Sequence, residues 1–278
     1  MERRKIKVAV LSDLHLGTFG CQAQSIVQYL RSISPEILVL NGDIIDIWQF
    51  NKRYFPSSHM QVIKEIFSLL SKGTHVYYIT GNHDEKFREY SDLVLGNFTL
   101  TDKLVLEMDH KKTWIFHGDV FDATTKGSAK YIAKLGGAGY NLLIVLNQCI
   151  NWTLKMFGRD KMSFSKKVKE KVKKAVSWIT NFEETAANLA IENGYEFVAC
   201  GHIHQPQNRT ITNAKGSVTY LNSGDWVENC SSLEYYDQQW HLYLQPAFSR
   251  KEVVKFNKLN SKVPDVLADT ISLMLKPA

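Results

Sequence analysis

Five short clusters of carboxylate, amide and imidazole side chains recur along the 278-residue chain: Asp13-Leu14-His15, Gly42-Asp43, Gly81-Asn82-His83-Asp84, His117-Gly118-Asp119 and Gly201-His202-Ile203-His204. Oxygen and nitrogen donors with no cysteine among them suit Mn2+, Fe, Zn2+ or Mg2+. Paired ions of this kind stabilise the attacking and leaving oxygens in phosphoester hydrolysis. Two adjacent cations need a shared ligand, and Asp43, alone after Leu38-Val39-Leu40-Asn41-Gly42, is the natural bridge. Asp13, His15 and His204 would then hold one ion, and Asn82, His117 and His202 the other. In both Asp-x-His and His-x-His a strand is just ending, and residues i and i+2 reach the same side only if the backbone turns there.

Nearly every cluster directly follows an apolar, β-branched run, which would deliver the donors to the carboxyl ends of sheet strands, where open α/β folds place their ligands. Strand-like runs at about 6–11, 37–40 and 75–80 alternate with helix-like stretches at about 22–33 and 59–71, the rhythm of a sheet covered by helices. A hairpin is expected from residues 103–108 and 112–117, joined by the polar turn 109–111, and it delivers His117. A helix-like stretch over 183–193 is stopped by Gly194 and leads through 195–200 to the His202 cluster. Two further runs, 217–221 and 233–244, read as antiparallel strands that complete a second sheet.

The βαβ rhythm does not require residues 123–180, which read as an inserted helical cap. The apolar stretch beginning at 140 is interrupted by Asn141, Asn147, Gln148, Asn151 and Lys155, which argues against a bilayer-spanning helix. Val168, Val172, Val176 and Ile179 form an apolar stripe beside Lys166, Lys167, Lys169, Lys171, Lys173 and Lys174, giving an amphipathic basic helix. That lysine run, which dominates a net charge of +6, fits a solvated helix face, an anionic membrane surface or a phosphorylated substrate. No nucleic-acid motif is present and no aromatic residues interleave the run, which sets nucleic acid aside. With 44% hydrophobic residues the chain has ample material for a core. Cys21, Cys149, Cys200 and Cys230 are widely spaced in or beside apolar runs, so they read as buried free thiols in a reducing, cytoplasmic setting. The charged start followed at once by a strand does not resemble a signal peptide.

The order D-x-H, G-D, G-N-H-[DE], isolated H and G-H-x-H resembles the calcineurin-like metallophosphoesterase superfamily over roughly residues 6–245. The resemblance implies an α/β (α+β) fold, a four-layer αββα sandwich of two mixed sheets flanked by helices, in a domain over 1–250 with the cap inserted and 251–278 as a C-terminal extension. It also implies in-line attack on phosphorus by a metal-activated water. His83 would then sit near the leaving oxygen as general acid or cationic stabiliser, oriented by Asp84, with Asn82 and His83 touching substrate. The spelling Ser12-Asp13-Leu14-His15-Leu16-Gly17, the His117-Gly118-Asp119 block, the cap and Gly201-His202-Ile203-His204-Gln205-Pro206 look most like the UDP-2,3-diacylglucosamine diphosphatases of lipid A synthesis. Enterobacterial members of that group tend to carry Arg where this chain has His83, which keeps the general superfamily form. This resemblance implies a Mn2+-dependent enzyme peripheral to the inner membrane that cuts the pyrophosphate of a lipid-linked sugar nucleotide, with Lys171 and Lys174 as phosphate or sugar contacts. A soluble phosphodiesterase or phosphomonoesterase for nucleotides would share the metal site. A metal-bearing scaffold without catalysis would be expected to have lost a ligand or His83.

Overall fold

Three apolar runs buried on both faces form the centre of the fold. A computed structural model describes residues 3–48, 54–121 and 165–246, with backbone alone for 165–176. In chain order the described elements are β1 (Arg4–Leu11), α1 (Ala23–Ser32), β2 (Ile33–Asn41), α2 (Ser57–Ser71), β3 (His75–Ile79), β4 (Val94–Leu95), β5 (Phe98–Thr101), β6 (Lys103–Met108) and β7 (Lys111–Phe116). They continue as α3 (Ser165–Glu192), β8 (Phe197–Cys200), β9 (Gln207–Asn213), β10 (Gly216–Asn222), β11 (Ser231–Tyr236) and β12 (Gln239–Leu244). The chain divides into two compact units, Met1–Gly118 with Ala186–Ala278, and Asp119–Thr185. Of the expected cap, residues 122–164 lie outside the described part, as does the expected C-terminal extension 251–278. Within the second unit the rings of Phe121 and Phe182 meet edge to face at 5.4 Å. Among the described residues no helix is long and apolar enough to cross a membrane.

The first unit holds two mixed sheets. One has seven strands in the order β12-β11-β1-β2-β3-β5-β4, and the other five in the order β6-β7-β8-β10-β9. Alternate residues of β1 go to opposite faces, because strand side chains alternate with period two. Ala9 and Leu11 pack beneath Ile26, Val27 and Leu30 of α1 and Val62 and Leu69 of α2, while Val8 and Val10 meet Ile115, Ala199 and Leu221 of the second sheet. Such double burial explains why β1 to β3 read as continuous apolar runs, each buried side chain contributing roughly 1.5–3 kcal/mol. The end of α3 lies at the β9–β10 hairpin, where Asn213 Nδ2 donates to Asn188 Oδ1 at 2.6 Å and Lys215 meets Glu192 at 2.7 Å. The first unit is thus a mixed α/β fold, with α1 and α2 on one face of the first sheet, the second sheet on its other face, and the end of α3 tied to the β9–β10 hairpin. As expected, Gly194 stops α3: it adopts φ 69°, and the Gly194 and Tyr195 N–H groups donate back to Ile191 and Ala190 carbonyls.

The run 233–244 departs from expectation. It is two strands joined at Asp237 and Gln238, both at positive φ, as a two-residue hairpin turn requires. It joins the first sheet rather than completing the second, because β11 pairs antiparallel with β1 through Val8↔Tyr235 and Val10↔Leu233. Strand β9 carries no apolar pattern to announce it, since it is a mostly exposed polar edge. Cys21, Cys200 and Cys230 are free thiols, and Cys149 lies outside the described residues.

One buried group in this framework titrates far from its usual range. His59, in the first turn of α2, is 2% exposed, packs edge-on against Tyr54 and Phe55, and accepts the Gly17 N–H on Nδ1 at 2.9 Å. Burial pushes it from 6.5 down to about 4. The unfolded chain therefore binds this proton first, so stability is complete above pH 6.5 and falls, by up to about 3 kcal/mol, as pH drops toward 4. Urea unfolding from pH 7 to 4 should show this acid limb flattened in His59→Gln, whose side-chain oxygen can still accept from Gly17. An unchanged limb would remove His59 as its cause.

Candidate dinuclear metal centre

The parallel pairing of β1 with β2 runs on past both strand ends. Asp13 N–H donates to Gly42 O at 3.0 Å, His15 N–H to Asp43 O at 2.9 Å and Leu16 N–H to Ile44 O at 2.9 Å. That register sets Asp13 and His15 beside Asp43. Five expected ligands leave their strands in the left-handed region: Asp13 (φ 54°), His15 (48°), Asp43 (54°), His202 (66°) and His204 (55°). Left-handed backbone costs a non-glycine residue roughly 1–2 kcal/mol, with Asp and His among the types that tolerate it better. This is the turn that Asp-x-His and His-x-His required.

The result is a set of interlocking three-donor clusters whose ligand atoms lie within 4.8 Å of one another. Asp13, His15 and His204 form one, Asp43, His117 and His202 another, and His15, Asp43 and His83 a third between them. Both carboxylates are anchored by one oxygen and face imidazole with the other. Asp13 Oδ2 accepts the His202 N–H at 3.1 Å, while its Oδ1 is 3.1 Å from His204 Nε2. Asp43 Oδ1 accepts the His83 N–H at 2.8 Å, while its Oδ2 is 3.3 Å from His117 Nε2.

The imidazoles are oriented from behind. His117 Nδ1 is 2.9 Å from Asn41 O, which fixes the proton there and turns Nε2 toward Asp43. His15 Nδ1 and His83 Nδ1 both meet Asp46 Oδ2, at 3.2 and 2.9 Å. This corrects the expected orienting role of Asp84. Its carboxylate is fully engaged by Gly81 N–H at 2.6 Å, Ile44 N–H at 2.9 Å and the Tyr78 hydroxyl at 2.6 Å, so it ties the β2 and β3 loops together. The His83 ring stands edge-on to His15 at 4.7 Å and lies 4.7 Å from Trp48.

Electrostatics follow from this packing. Burial alone would raise Asp13, yet the charge and hydrogen bond of His204, then the charge of His117, hold it at about 2. Asp43 is held lower still against the same burial penalty, His117 acting first. His204 rises to about 9, because Asp13 outweighs the burial that opposes it. His83 is also raised against burial, chiefly by its hydrogen bond to Asp46 and the Asp43 charge. Asp84 is raised by burial and then by Asp43. A field that holds protons on imidazoles favours cations in general.

The donor set fits divalent ions. His15 Nε2 and Asn82 Oδ1 are buried with no hydrogen-bond partner, an arrangement that costs about 1–3 kcal/mol per group unless something else satisfies it. The calcineurin-like phosphoesterase profile matches residues 6–206. The chain belongs to the calcineurin-like phosphoesterases. It is thereby a metal-dependent hydrolase. The UDP-2,3-diacylglucosamine hydrolase of Aliivibrio fischeri (strain MJ11) is 24% identical over 245 residues, covering 85% of this chain and 97% of that one. Its namesake from Neisseria gonorrhoeae (strain ATCC 700825 / FA 1090) is 23% identical over 240 residues, covering 85% and 96%. A solved archaeal phosphodiesterase superposes with a TM-score of 0.43 at 15% identity, covering 86% of this chain and 99% of that one.

Sequence reading of this calcineurin-like phosphoesterase missed two buried acids, both fully inaccessible to solvent. Asp46 follows Asp43 by three residues in Gly-Asp-x-x-Asp. Asp225 ends Asn222-Ser223-Gly224-Asp225, which follows an apolar run as the other clusters do and was open to the same reasoning. Lys171 and Lys174 fall in α3 where side chains lie outside the described part.

Close approach at the centre is made possible by Gly81. A Cβ there would collide with Asp43 Oδ1, sit 2.6 Å from Asp43 N and reach 2.9 Å from His117 Cδ2. Gly81→Ala should therefore displace Asp43 and lower stability by about 1–3 kcal/mol, read by urea unfolding alongside weakened divalent-metal binding. Wild-type stability and binding together would mean the loops have room that this packing denies.

Proposed function

We propose that this phosphoesterase hydrolyses the pyrophosphate of a lipid-linked sugar nucleotide, UDP-2,3-diacylglucosamine, to UMP and 2,3-diacylglucosamine 1-phosphate. The observation that carries the reaction class is the pair of three-donor clusters, Asp13 with His15 and His204 and Asp43 with His117 and His202, joined through the third group of His15, Asp43 and His83. Support for the substrate comes from relatives named UDP-2,3-diacylglucosamine hydrolase that align over most of both chains. In this reading Asp13, His15 and His204 hold one Mn2+, Asn82, His117 and His202 the other, and Asp43 is shared. When bound, the ions supply Lewis acidity to phosphoryl oxygens and lower the pKa of water. In this reading the reaction takes place at the cytoplasmic face of the inner membrane, with the acyl chains of the substrate in the bilayer.

His83 works beside the ions rather than as a ligand. Its Nδ1 lies 2.9 Å from Asp46 Oδ2, and its Nε2 lies 3.9 Å from Asp43 Oδ2 at the middle of the cluster. From there it can hold a proton for the leaving oxygen or offer positive charge to the phosphoryl group, a contribution typically worth about 10²–10⁴-fold in rate. Asp46 keeps the ring turned and favours its protonated form. Lys171 and Lys174 are assigned to substrate phosphate or sugar.

Two measurements test this reading. Metal analysis should find Asp43→Asn depleted at both positions, whereas His83→Ala keeps both ions and loses about 10²–10⁴-fold in turnover. Two ions and near-normal turnover in Asp43→Asn would refute the bridge. The Mn2+-loaded protein should also be offered UDP-diacylglucosamine, UDP-sugars, mononucleotides and bis-p-nitrophenyl phosphate in parallel. The lipid-linked nucleotide should have the highest kcat/KM, rising with acyl length as each buried methylene adds about 0.8 kcal/mol. Efficient hydrolysis of a soluble nucleotide with no dependence on acyl length would identify a soluble phosphodiesterase instead.

A further inference from the structure

We propose that Asp225 and Asn229 form a positioning pair that fixes His204 for one metal position and not the other. The inference rests on the dinuclear reading above. His204 is less enclosed by its own surroundings than His15 or His117. Its side chain is 39% exposed, against 10% for His15 and 0% for His117, and its backbone is left-handed at φ 55°. Strained backbone in a part-exposed loop persists only when neighbours over-determine it.

The loop after β10 supplies that constraint. Asp225 Oδ1 accepts the N–H groups of Val227 at 2.7 Å, Glu228 at 2.5 Å and Asn229 at 3.3 Å, winding the loop around a buried carboxylate. Asp225 Oδ2 accepts Asn229 Nδ2 at 2.5 Å, and the same Nδ2 donates to His204 O at 2.9 Å. One amide therefore joins the carboxylate to the histidine backbone. Oδ2 also lies 3.8 Å from His204 Nδ1, while the Nε2 of the same ring lies 3.1 Å from Asp13 Oδ1. The adjoining Trp226 N–H donates to Asp13 O at 3.1 Å, so the loop grips two members of the Asp13, His15 and His204 cluster. In the other cluster His202 N–H also meets Asp13 Oδ2, but His117 has fastenings of its own: its Nδ1 on Asn41 O, and Gly201 N–H on its carbonyl.

Partners of this kind typically alter metal affinity by about 10–100-fold when removed. The test is calorimetric titration of the metal-stripped full chain with Mn2+, with electron paramagnetic resonance at each step to separate single from spin-coupled ions. Asn229→Ala, at an exposed position where folding is secure, and Asp225→Asn should each weaken one ion by about 10–100-fold, leave the other unchanged, and delay the coupled signal. If Asp225→Asn fails to fold, Asn229→Ala decides alone. Wild-type affinities for both ions, or equal weakening of both, would overturn the pairing of this loop with one site. A wild-type chain that bound fewer than two ions would instead refute the dinuclear reading itself.

Discussion

Five buried carboxylates crowd the carboxyl ends of the central strands, and the structure around them is organised by the need to compensate that charge. Asp13, Asp43, Asp46, Asp84 and Asp225 are all at most 2% exposed. An unpaired buried charge costs several kcal/mol, so each must collect donors or cations. Asp84 and Asp225 do so with backbone N–H groups and neutral donors, which makes them struts of their loops. Asp13, Asp43 and Asp46 do so with imidazoles. The division separates acids that build the site from acids that a cation can share.

The same division explains the placement of strain. Left-handed backbone recurs at the ligands because a strand that simply continued would send alternate donors to opposite faces of the sheet. The β1–β2 ladder, extended beyond the strands through Asp13, His15 and Leu16, holds one side of these turns. Asp84 and the Asp225 loop hold the others. Strain and fastening are therefore found together, and His204, more exposed than His15 and His117, has a clamp from outside its own loop.

The Asp46 carboxylate also links ligand and acid. By touching His15 and His83 with one oxygen, it sets the tautomer of an expected ligand and the proton affinity of the expected general acid. The chemistry of the centre is thus distributed over three neighbouring loops of the first sheet, those after β1, β2 and β3. The second sheet adds His117, His202 and His204 from the ends of β7 and β8, so the site depends on the two sheets staying in contact through Val8, Val10, Ile115, Ala199 and Leu221.

What the sequence alone determined was local: donor types, their order, and the apolar runs before them. Those runs are long and β-branched because β1, β2 and β3 are buried on both faces, so strand identity and strand end were both legible. The hairpin delivering His117 and the stop at Gly194 were legible through turn chemistry. Tertiary structure decided what no local pattern encodes. Which sheet the 233–244 run joins depended on the free edge of β1, since alternation specifies a face but not a neighbour. Whether Asp46 or Asp84 orients His83 depended on side-chain reach across loops, and both acids look alike in sequence. The role of Asp225 waited on the fold for the same reason: a carboxylate is defined by the donors around it, and these are set by packing rather than by spacing along the chain.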